Sequence, residues 1–177
     1  MILPPATLGL LGGGQLGRHF VMAAHELGYR VAVLDPDAQS CAGRIADEHI
    51  VAEYDDPPAL DRLSSLCAAV TTEFESVPAS ALVRLSETTR VCPSAEAVAI
   101  SQERSAEKRF LRTNELPHVP YAEIRSAQDI DDADPELFPG ILKIARLGYD
   151  GKGQARVSGK DEARAAFAQF FGEPCVL

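Results

Sequence analysis

The sequence predicts an α/β fold built on an open parallel sheet, and three observations lead to this class. Short apolar runs such as Thr7–Leu11 and Val31–Leu34 recur at intervals that leave room for a helix between them. A glycine-rich turn, Gly12–Gly17, follows the first run directly. Proline and glycine then mark the places where strands end and helices begin. Because parallel strands need crossover helices, this alternation indicates a parallel sheet.

The first 35 residues form one strand–turn–helix–strand unit. Five apolar residues after the turn recur at helical spacing: Leu16, Phe20, Ala23, Ala24 and Leu27. Gly28 follows as a helix-ending glycine, and Asp35 closes the second strand. Gly12, Gly14 and Gly17 match the Gly-x-Gly-x-x-Gly pattern of dinucleotide sites, with Asp35 at about the distance of a ribose-binding acid. A glycine turn at a helix start also holds phosphate monoesters, so both ligands stay open.

Three more strands and two helices complete a first domain, predicted as residues 1–93. The strands are predicted at His49–Ala52, Ala68–Thr72 and Arg90–Cys92, and the helices at Pro58–Leu66 and Pro78–Leu85. In such sheets ligands bind at the carboxyl ends of the strands. Glu73 and Glu75 follow the fourth strand, where an extended segment would turn both carboxylates to one side. A polar loop that opens the next helix is the alternative.

The second domain, predicted as residues 94–177, begins with two helices. The second of them carries Arg104, Lys108 and Arg112 at intervals of four, hence on one face. Its apolar face is predicted to consist of Phe110 and Leu111. A solvated position is expected for Arg109 and Arg112.

An apolar strand with one lysine, Ile141–Ile144, leads into a glycine-rich loop. Alternation turns Lys143 to a face that must hold an anion. Three glycines in the loop 148–154 let backbone N–H groups approach a polyphosphate, with Lys152 as a mobile positive charge. Asp150-Gly151 is also a hairpin signal, with residues 155–157 as the return strand. Both interpretations are compatible, because a hairpin can cover phosphates as a lid.

The last 17 residues are predicted to form an amphipathic helix, Asp161–Phe171, and a strand that starts at Pro174. The helix stripe of Ala163, Ala166, Phe167 and Phe170 is typical of a core. A strand that stops in mid-run indicates that the chain is part of a longer protein.

Composition excludes several classes of partner. The net charge of −9, from 17 basic and 26 acidic residues, argues against nucleic acid and anionic membranes. An anionic ligand would need basic residues focused in a cleft. Four scattered cysteines favour a reduced cytoplasmic protein over a disulfide or metal role. The sequence has no apolar run of membrane-spanning length.

Three strings in this order resemble the N5-carboxyaminoimidazole ribonucleotide synthetase family of ATP-grasp ligases: Gly12–Arg18, Thr72–Pro78, and Gly148–Gln154 with Lys143 upstream. The resemblance covers essentially the whole chain. It implies a pre-ATP-grasp (Rossmann-like) domain followed by the first part of an ATP-grasp domain, apparently truncated. Glycinamide-ribonucleotide transformylases and biotin carboxylases share the plan, but the strings favour the aminoimidazole enzymes. Leu147 departs from the pattern, since many relatives have glycine there.

The resemblance implies ATP-dependent carboxylation of 5-aminoimidazole ribonucleotide by bicarbonate, through carboxyphosphate, in purine biosynthesis. ATP is expected to bind at Arg104, Lys143, Gly148, Tyr149, Asp150, Gly151, Lys152, Gly153 and Gln154. The ribonucleotide is expected at Gly14, Gln15, Leu16 and Glu73. Tyr149 and Asp150 are the predicted catalytic residues, placed between the two substrates.

The cofactors implied are ATP and Mg²⁺, with the metal ligands and the adenine pocket expected beyond Leu177. A homodimer is expected, and these 177 residues alone are expected to be inactive and to bind ATP weakly. Two alternatives stay open: an NAD(P)-dependent oxidoreductase that uses Asp35, and a non-catalytic nucleotide-binding module.

Overall fold

The computed structural model describes residues 1–146, Gly148 and residues 153–177. These fall in two compact units, Met1–Ala99 and Ile100–Leu177. The division falls within the helix α4, Ala95–Ser101. The domain boundary after residue 93 stays a prediction.

The first unit contains a five-stranded parallel sheet, which confirms the predicted fold class. Its strands are β1 Thr7–Leu11, β2 Arg30–Leu34, β3 Glu48–Ile50, β4 Ala69–Thr72 and β5 Arg90–Val91. They lie in the order β3-β2-β1-β4-β5, and each neighbouring pair is parallel. The chain runs outward from β1 to β3 and then returns to the other side of β1. Strand order therefore reverses between β1 and β4, where sheets of this type leave a crevice at the carboxyl ends.

Helices cover both faces of this sheet: α1 Gln15–Glu26, α2 Pro57–Leu66 and α3 Ala79–Ser86. Successive strand residues point to opposite faces, and both faces are apolar. One core cluster contains Leu10, Val31 and Val33 with Val21 and Ala24 of α1. The other contains Leu11, Ala32 and Leu34 with residues of α2 and α3.

The predicted apolar face of α1 is partly wrong. The buried residues are Gly17, Val21 and Ala24, whereas Leu16 and Leu27 are each 69% exposed. A Cβ at Gly17 would lie 2.9 Å from the Gly12 carbonyl oxygen. The close approach of Gly17 to the backbone after β1 therefore sets the rotation of the helix, and this overrides the stripe of large apolar residues.

The second unit contains an antiparallel sheet of four strands in the order β6-β9-β7-β8. Its elements are α5 Arg104–Thr113, β6 Glu123–Ile124, α6 Ala127–Asp132, a 3-10 turn Pro135–Leu137, β7 Gly140–Ile144, β8 Gln154–Val157, α7 Lys160–Gln169 and β9 Cys175–Val176. The predicted hairpin of β7 and β8 and the predicted last strand are confirmed. The stripe of Ala163, Ala166 and Phe167 lies in the core, as expected.

The predicted apolar face of α5 is partly wrong, because Leu111 is half-buried but Phe110 is not. Phe110 is 43% exposed, and the buried position of the helix is Ser105. The helix contacts β9. Within the described ranges, every helix is too short or too polar to cross a bilayer.

Candidate functional site

The carboxyl ends of four parallel strands bring together one polar cluster in the first unit. Gly12–Gly14 follow β1, Asp35 follows β2, Tyr54 lies beyond β3, and Glu73 follows β4. We name this cluster the turn site. Two of the four residues predicted to bind the ribonucleotide, Gly14 and Glu73, are in direct contact there.

Carboxylates accept the N–H groups of two successive glycines in the turn site. The Gly14 N–H donates to Glu73 Oε2 over 2.5 Å, and the Gly13 N–H donates to Asp35 Oδ2 over 2.7 Å. The Tyr54 hydroxyl donates to the same Asp35 oxygen over 2.7 Å. The Asp37 N–H donates to Asp35 Oδ1 over 2.9 Å. Asp35 is only 8% exposed, so three donors hold a buried carboxylate in one orientation.

Glycine is favoured at two positions of this turn for different reasons. Gly12 has a φ of +109°, which L side chains rarely adopt. A Cβ at Gly14 would collide with Oε1 of Glu73. The glycine pattern therefore serves the approach of an internal carboxylate as well as any ligand.

This geometry changes what the turn site can bind. A phosphate at the Gly13 and Gly14 N–H groups would have to displace two acids, which repel an anion. Gln15 and Leu16 begin α1, and both are exposed. The first four N–H groups of a helix, counted from the cap, have no partner inside the helix. The Gly14 cap supplies no side chain for them. Among the described residues, the helix start of Gln15 and Leu16 is thus the part of the turn open to a phosphate.

The expectation that Glu73 and Glu75 share one side of an extended segment is not met. The chain bends at Glu73 and Phe74 and turns at Glu75 and Ser76, so the two-residue alternation of a strand does not apply. Glu73 is half-buried against the turn, whereas Glu75 is exposed.

Asp35 does not fit the role of a ribose-binding acid. Both of its oxygens already accept hydrogen bonds from the protein, and the side chain is buried. A dinucleotide would need this carboxylate at the surface of the crevice. The turn site therefore disfavours the oxidoreductase alternative.

A cavity of about 460 Å³ lies in the second unit, and three basic residues line it. Arg104 and Lys108 come from one face of α5, and Lys143 comes from β7. We name it the cation-lined cavity. Its apolar wall includes Val119, Pro120, Pro139, Ile141 and Val176. Cations beside an apolar wall suit a ligand with phosphates at one end and a flat apolar group at the other.

The cations of this cavity retain their capacity to bind an anion. Within the part of the chain that the structure describes, neither Lys108 nor Lys143 has an ion-pair partner, although Glu107 and Glu136 also line the cavity. The Arg104 guanidinium donates to the Gly148 carbonyl oxygen over 3.3 Å. Arg104 thus contacts the first residue of the predicted loop 148–154.

Arg109 and Arg112 of α5 are predicted to be solvated, but in the structure each side chain has a partner. Arg109 forms an ion pair with Glu123, with 2.7 Å between Nη1 and Oε2. The Arg112 guanidinium carbon lies 5.6 Å from the centre of the Tyr121 ring. Both side chains therefore fasten α5 to the chain around β6.

Tyr121 is the residue of this cavity that has an unsatisfied polar group. Its ring lines the cavity and meets His118 edge-on, with 5.6 Å between ring centres. Its hydroxyl oxygen is buried and has no hydrogen-bond partner among the described residues. An unsatisfied buried hydroxyl costs about 1–3 kcal/mol.

The predicted phosphate loop is described at its two ends. Lys143 and Gln154 are paired across β7 and β8, so the predicted anchor and the end of the loop are neighbours. The Ile144 N–H donates to the Gly153 carbonyl over 2.8 Å, and Gly153 has a φ of +68°. The remaining predicted loop residues lie outside the described residues: Tyr149, Asp150, Gly151 and Lys152, together with Leu147. Their assigned roles stay predictions.

No group of three acidic, histidine or cysteine side chains within the described ranges could hold a metal ion.

Sequence reasoning missed Tyr54 and Tyr121. Tyr54 lies past the carboxyl end of a parallel strand, and that location was the available signal for it. For Tyr121 there was no signal, because an unsatisfied hydroxyl is defined only by its surroundings.

The fold and the two sites define a class of protein in which a parallel α/β unit with a glycine turn is followed in the chain by an antiparallel unit with a cation-lined cavity. The family model of the ribonucleotide synthetase preATP-grasp domain matches residues 5–102, which is more than half of the chain. The chain belongs to this ribonucleotide synthetase family.

Several curated relatives are N5-carboxyaminoimidazole ribonucleotide synthases. N5-carboxyaminoimidazole ribonucleotide synthase of Brucella melitensis biotype 1 is 44% identical over 98% of this chain and 49% of its own length. The chain thus spans about half the length of the curated relatives it matches.

Solved structures agree with this kinship. An N5-carboxyaminoimidazole ribonucleotide synthetase in complex with ADP has a TM-score of 0.92 and 35% identity, over 99% of this chain and 47% of its own. The Aspergillus clavatus synthase in complex with ADP and 5-aminoimidazole ribonucleotide has a TM-score of 0.84 and 29% identity, over 97% and 45%.

Proposed function

We propose that the protein that carries this chain joins bicarbonate to the exocyclic amine of 5-aminoimidazole ribonucleotide at the expense of ATP. A bicarbonate oxygen attacks the γ-phosphorus, and ADP leaves. The amine nitrogen then takes the carboxyl carbon of the carboxyphosphate, directly or as released CO2, and phosphate leaves. The products are N5-carboxyaminoimidazole ribonucleotide, ADP and phosphate. The reaction is a step of purine biosynthesis.

The cation-lined cavity is the observation that carries this proposal. Arg104, Lys108 and Lys143 line one cavity in a protein with a net charge of −9, so positive charge is focused where a polyphosphate would bind. Charge-assisted hydrogen bonds of about 1.5–3 kcal/mol each would let two or three such groups hold the nucleotide phosphates. A similar solved structure is a complex with ADP, which supports a nucleotide as the ligand of this cavity.

The ribonucleotide is assigned to the turn site. Glu73 keeps Oε1 for a donor of the ligand, such as a sugar hydroxyl or the amine, while Oε2 accepts the Gly14 N–H. The N–H groups at Gln15 and Leu16 suit an anionic group because they point out of a helix start. Gly14, Gln15, Leu16 and Glu73 thus act as one set of ligands.

The loop between β7 and β8 is proposed to cover the phosphates, with Gly148, Gly151, Lys152, Gly153 and Gln154 as nucleotide contacts. Tyr149 and Asp150 are proposed to act between the two substrates. A closed loop would keep water away from a labile acyl phosphate. Mg²⁺ is proposed to bridge ATP phosphates, with its protein ligands outside these residues.

Phosphate release is the direct test. The full-length protein should release phosphate from MgATP when both bicarbonate and aminoimidazole ribonucleotide are present, and much less when either is withheld. Phosphate release that does not depend on the ribonucleotide would contradict the proposal. Isothermal titration of residues 1–177 alone should show only weak MgATP binding, and micromolar affinity would contradict that part.

The oxidoreductase alternative predicts saturable NADH binding, which a fluorescence titration would detect. A non-catalytic module would bind nucleotide without ribonucleotide-dependent turnover. A homodimer in the cytoplasm stays part of the proposal, which light scattering and fractionation would test.

A further inference from the structure

Tyr54 contacts both of the segments that carry the carboxylates of the turn site. Its hydroxyl donates to Asp35 Oδ2 over 2.7 Å. Its ring meets the Phe74 ring edge-on, with 5.6 Å between ring centres and 62° between planes. Phe74 is the chain neighbour of Glu73, so one side chain contacts both arms of the turn site.

The two arms come from different sides of the strand that carries the glycine turn. Asp35 follows β2, and Glu73 with Phe74 follows β4, while β1 lies between these strands. Asp35 accepts the Gly13 N–H and Glu73 accepts the Gly14 N–H. The positions of two adjacent backbone amides thus depend on two segments that are far apart in sequence. Tyr54, from a third segment beyond β3, is a contact that they share.

The phenol is suited to this role as a lasting donor. Burial, then the hydrogen bond to Asp35 and the negative charges of Asp35 and Glu73, raise the pKa of the Tyr54 hydroxyl well above its ordinary value of 10.0. A phenol is protonated at neutral pH even at its ordinary pKa, and the raised pKa keeps this hydroxyl a donor in more alkaline solution as well. Its proton offsets the negative charge of a carboxylate that lies near a second one.

We propose that Tyr54 is a positioning residue, which holds the Asp35 and Glu73 arms in register with the Gly13 and Gly14 amides and thereby sets the affinity for the ribonucleotide. The affinity part rests on the proposed function, in which Glu73 contacts that substrate. The positioning part rests on the contacts alone.

Three variants of the full-length protein separate the contacts of Tyr54. Tyr54→Phe removes the bond to Asp35 and keeps the ring against Phe74, whereas Tyr54→Leu removes both. The matched control is Tyr29→Phe. The Tyr29 hydroxyl donates to the Ile2 carbonyl over 3.0 Å, at the opposite, amino end of β2. This control removes one hydroxyl bond from the same unit, away from the turn site.

Amide hydrogen exchange tests the positioning directly. We expect exchange at Gly13 to become about tenfold faster in Tyr54→Phe, and exchange at both Gly13 and Gly14 to do so in Tyr54→Leu. Tyr29→Phe should leave both amides unchanged relative to the rest of the unit. Should the Tyr54 variants change these amides no more than Tyr29→Phe does, Tyr54 is an ordinary packing residue and the proposal is wrong, whatever the activity.

Steady-state kinetics tests the consequence. The KM for the ribonucleotide should rise about threefold to tenfold in Tyr54→Phe and further in Tyr54→Leu, with the KM for ATP within about twofold of the wild type. A parallel rise of both KM values, or none, would overturn the role in substrate affinity. Wild-type protein without ribonucleotide-dependent phosphate release would refute the proposed function instead, and the exchange result would still decide the positioning role.

Discussion

The turn site and the cation-lined cavity differ in how their polar groups are satisfied within the protein. In the turn site, carboxylates of Asp35 and Glu73 already accept the glycine N–H groups. In the cavity, Lys108 and Lys143 have no ion-pair partner among the described residues, and the Tyr121 hydroxyl has no hydrogen-bond partner there. The first arrangement is preorganised by internal bonds, whereas the second keeps binding capacity for a ligand.

This difference indicates which chemical groups of a ligand each site can bind. Internal acids at the turn favour a ligand that donates hydrogen bonds, and cations in the cavity favour a polyphosphate. A glycine-rich turn at a helix start is therefore not by itself evidence for phosphate at the glycines. The charge of the groups already bound there has to be known.

The largest effect is expected from the cavity. Lys143→Met should raise the KM for ATP about 10-fold to 150-fold, since one charge-assisted bond of about 1.5–3 kcal/mol is lost. The KM for the ribonucleotide should stay near the wild-type value. Lys160→Met is the control, because Lys160 begins α7 and its ammonium donates to the carbonyl oxygen of Asp131 in α6. An equal rise of the KM for ATP in both variants would contradict a specific role of the cation-lined cavity in ATP binding.

A glycine substitution in the turn site should have the next largest effect. In Gly14→Ala the new Cβ meets the flexible end of Glu73, so the carboxylate must move while the backbone can stay. We expect the KM for the ribonucleotide to rise about tenfold, as one hydrogen bond to a charged group is lost. Gly159→Ala is the control, because nothing lies within 4 Å of a Cβ there. An unchanged ribonucleotide KM would remove Glu73 from the substrate site.

Two tyrosine-to-phenylalanine changes should shift stability in opposite directions. Tyr54→Phe removes a bond to a buried carboxylate and should lower the free energy of unfolding by about 1.5–3 kcal/mol. Tyr121→Phe removes an unsatisfied hydroxyl and should raise the free energy of unfolding by about 1–3 kcal/mol. Urea titration measures both. If Tyr121→Phe destabilises the protein, its hydroxyl has a partner and the contrast between the two sites is weaker than stated.

The smallest effect concerns a carboxylate at the amino end of the first sheet. Despite some burial, the pKa of Asp47 is lowered by hydrogen bonds from the Val31 N–H and His25. A lowered pKa in the folded state means that the contribution to stability is present above the ordinary value of 3.8 and is lost as the pH falls below it.

Asp47→Asn tests whether such a carboxylate is purely structural. The variant should be slightly less stable than the wild type at pH 6, by well under the effect of Tyr54→Phe, and the difference should shrink below about pH 3.8. The KM for the ribonucleotide should not change. A change would show that carboxylates at either end of the sheet affect the substrate, which contradicts a localised turn site.

Much of the fold was predictable because its signals are local. The strand Thr7–Leu11 was predicted at its observed bounds, and the hairpin of β7 and β8 was predicted from one lysine-bearing strand and a turn signal. The face of α1 was predicted wrongly, because the close approach of Gly17 to the Gly12 carbonyl decides the rotation of that helix. The spacing of apolar residues along the chain does not predict this contact.

The sequence by itself determined the family, the order of strands and helices along the chain, and the residues that bracket the glycine turn and the lysine strand. These depend on periodicity and on turn chemistry, which act between neighbours in the chain. Only the tertiary structure decided that Asp35, Tyr54 and Glu73 meet at Gly13 and Gly14, and that Arg104, Lys108 and Lys143 line one cavity. Those encounters depend on which strands lie side by side and on how each helix is rotated, and packing between distant segments sets both.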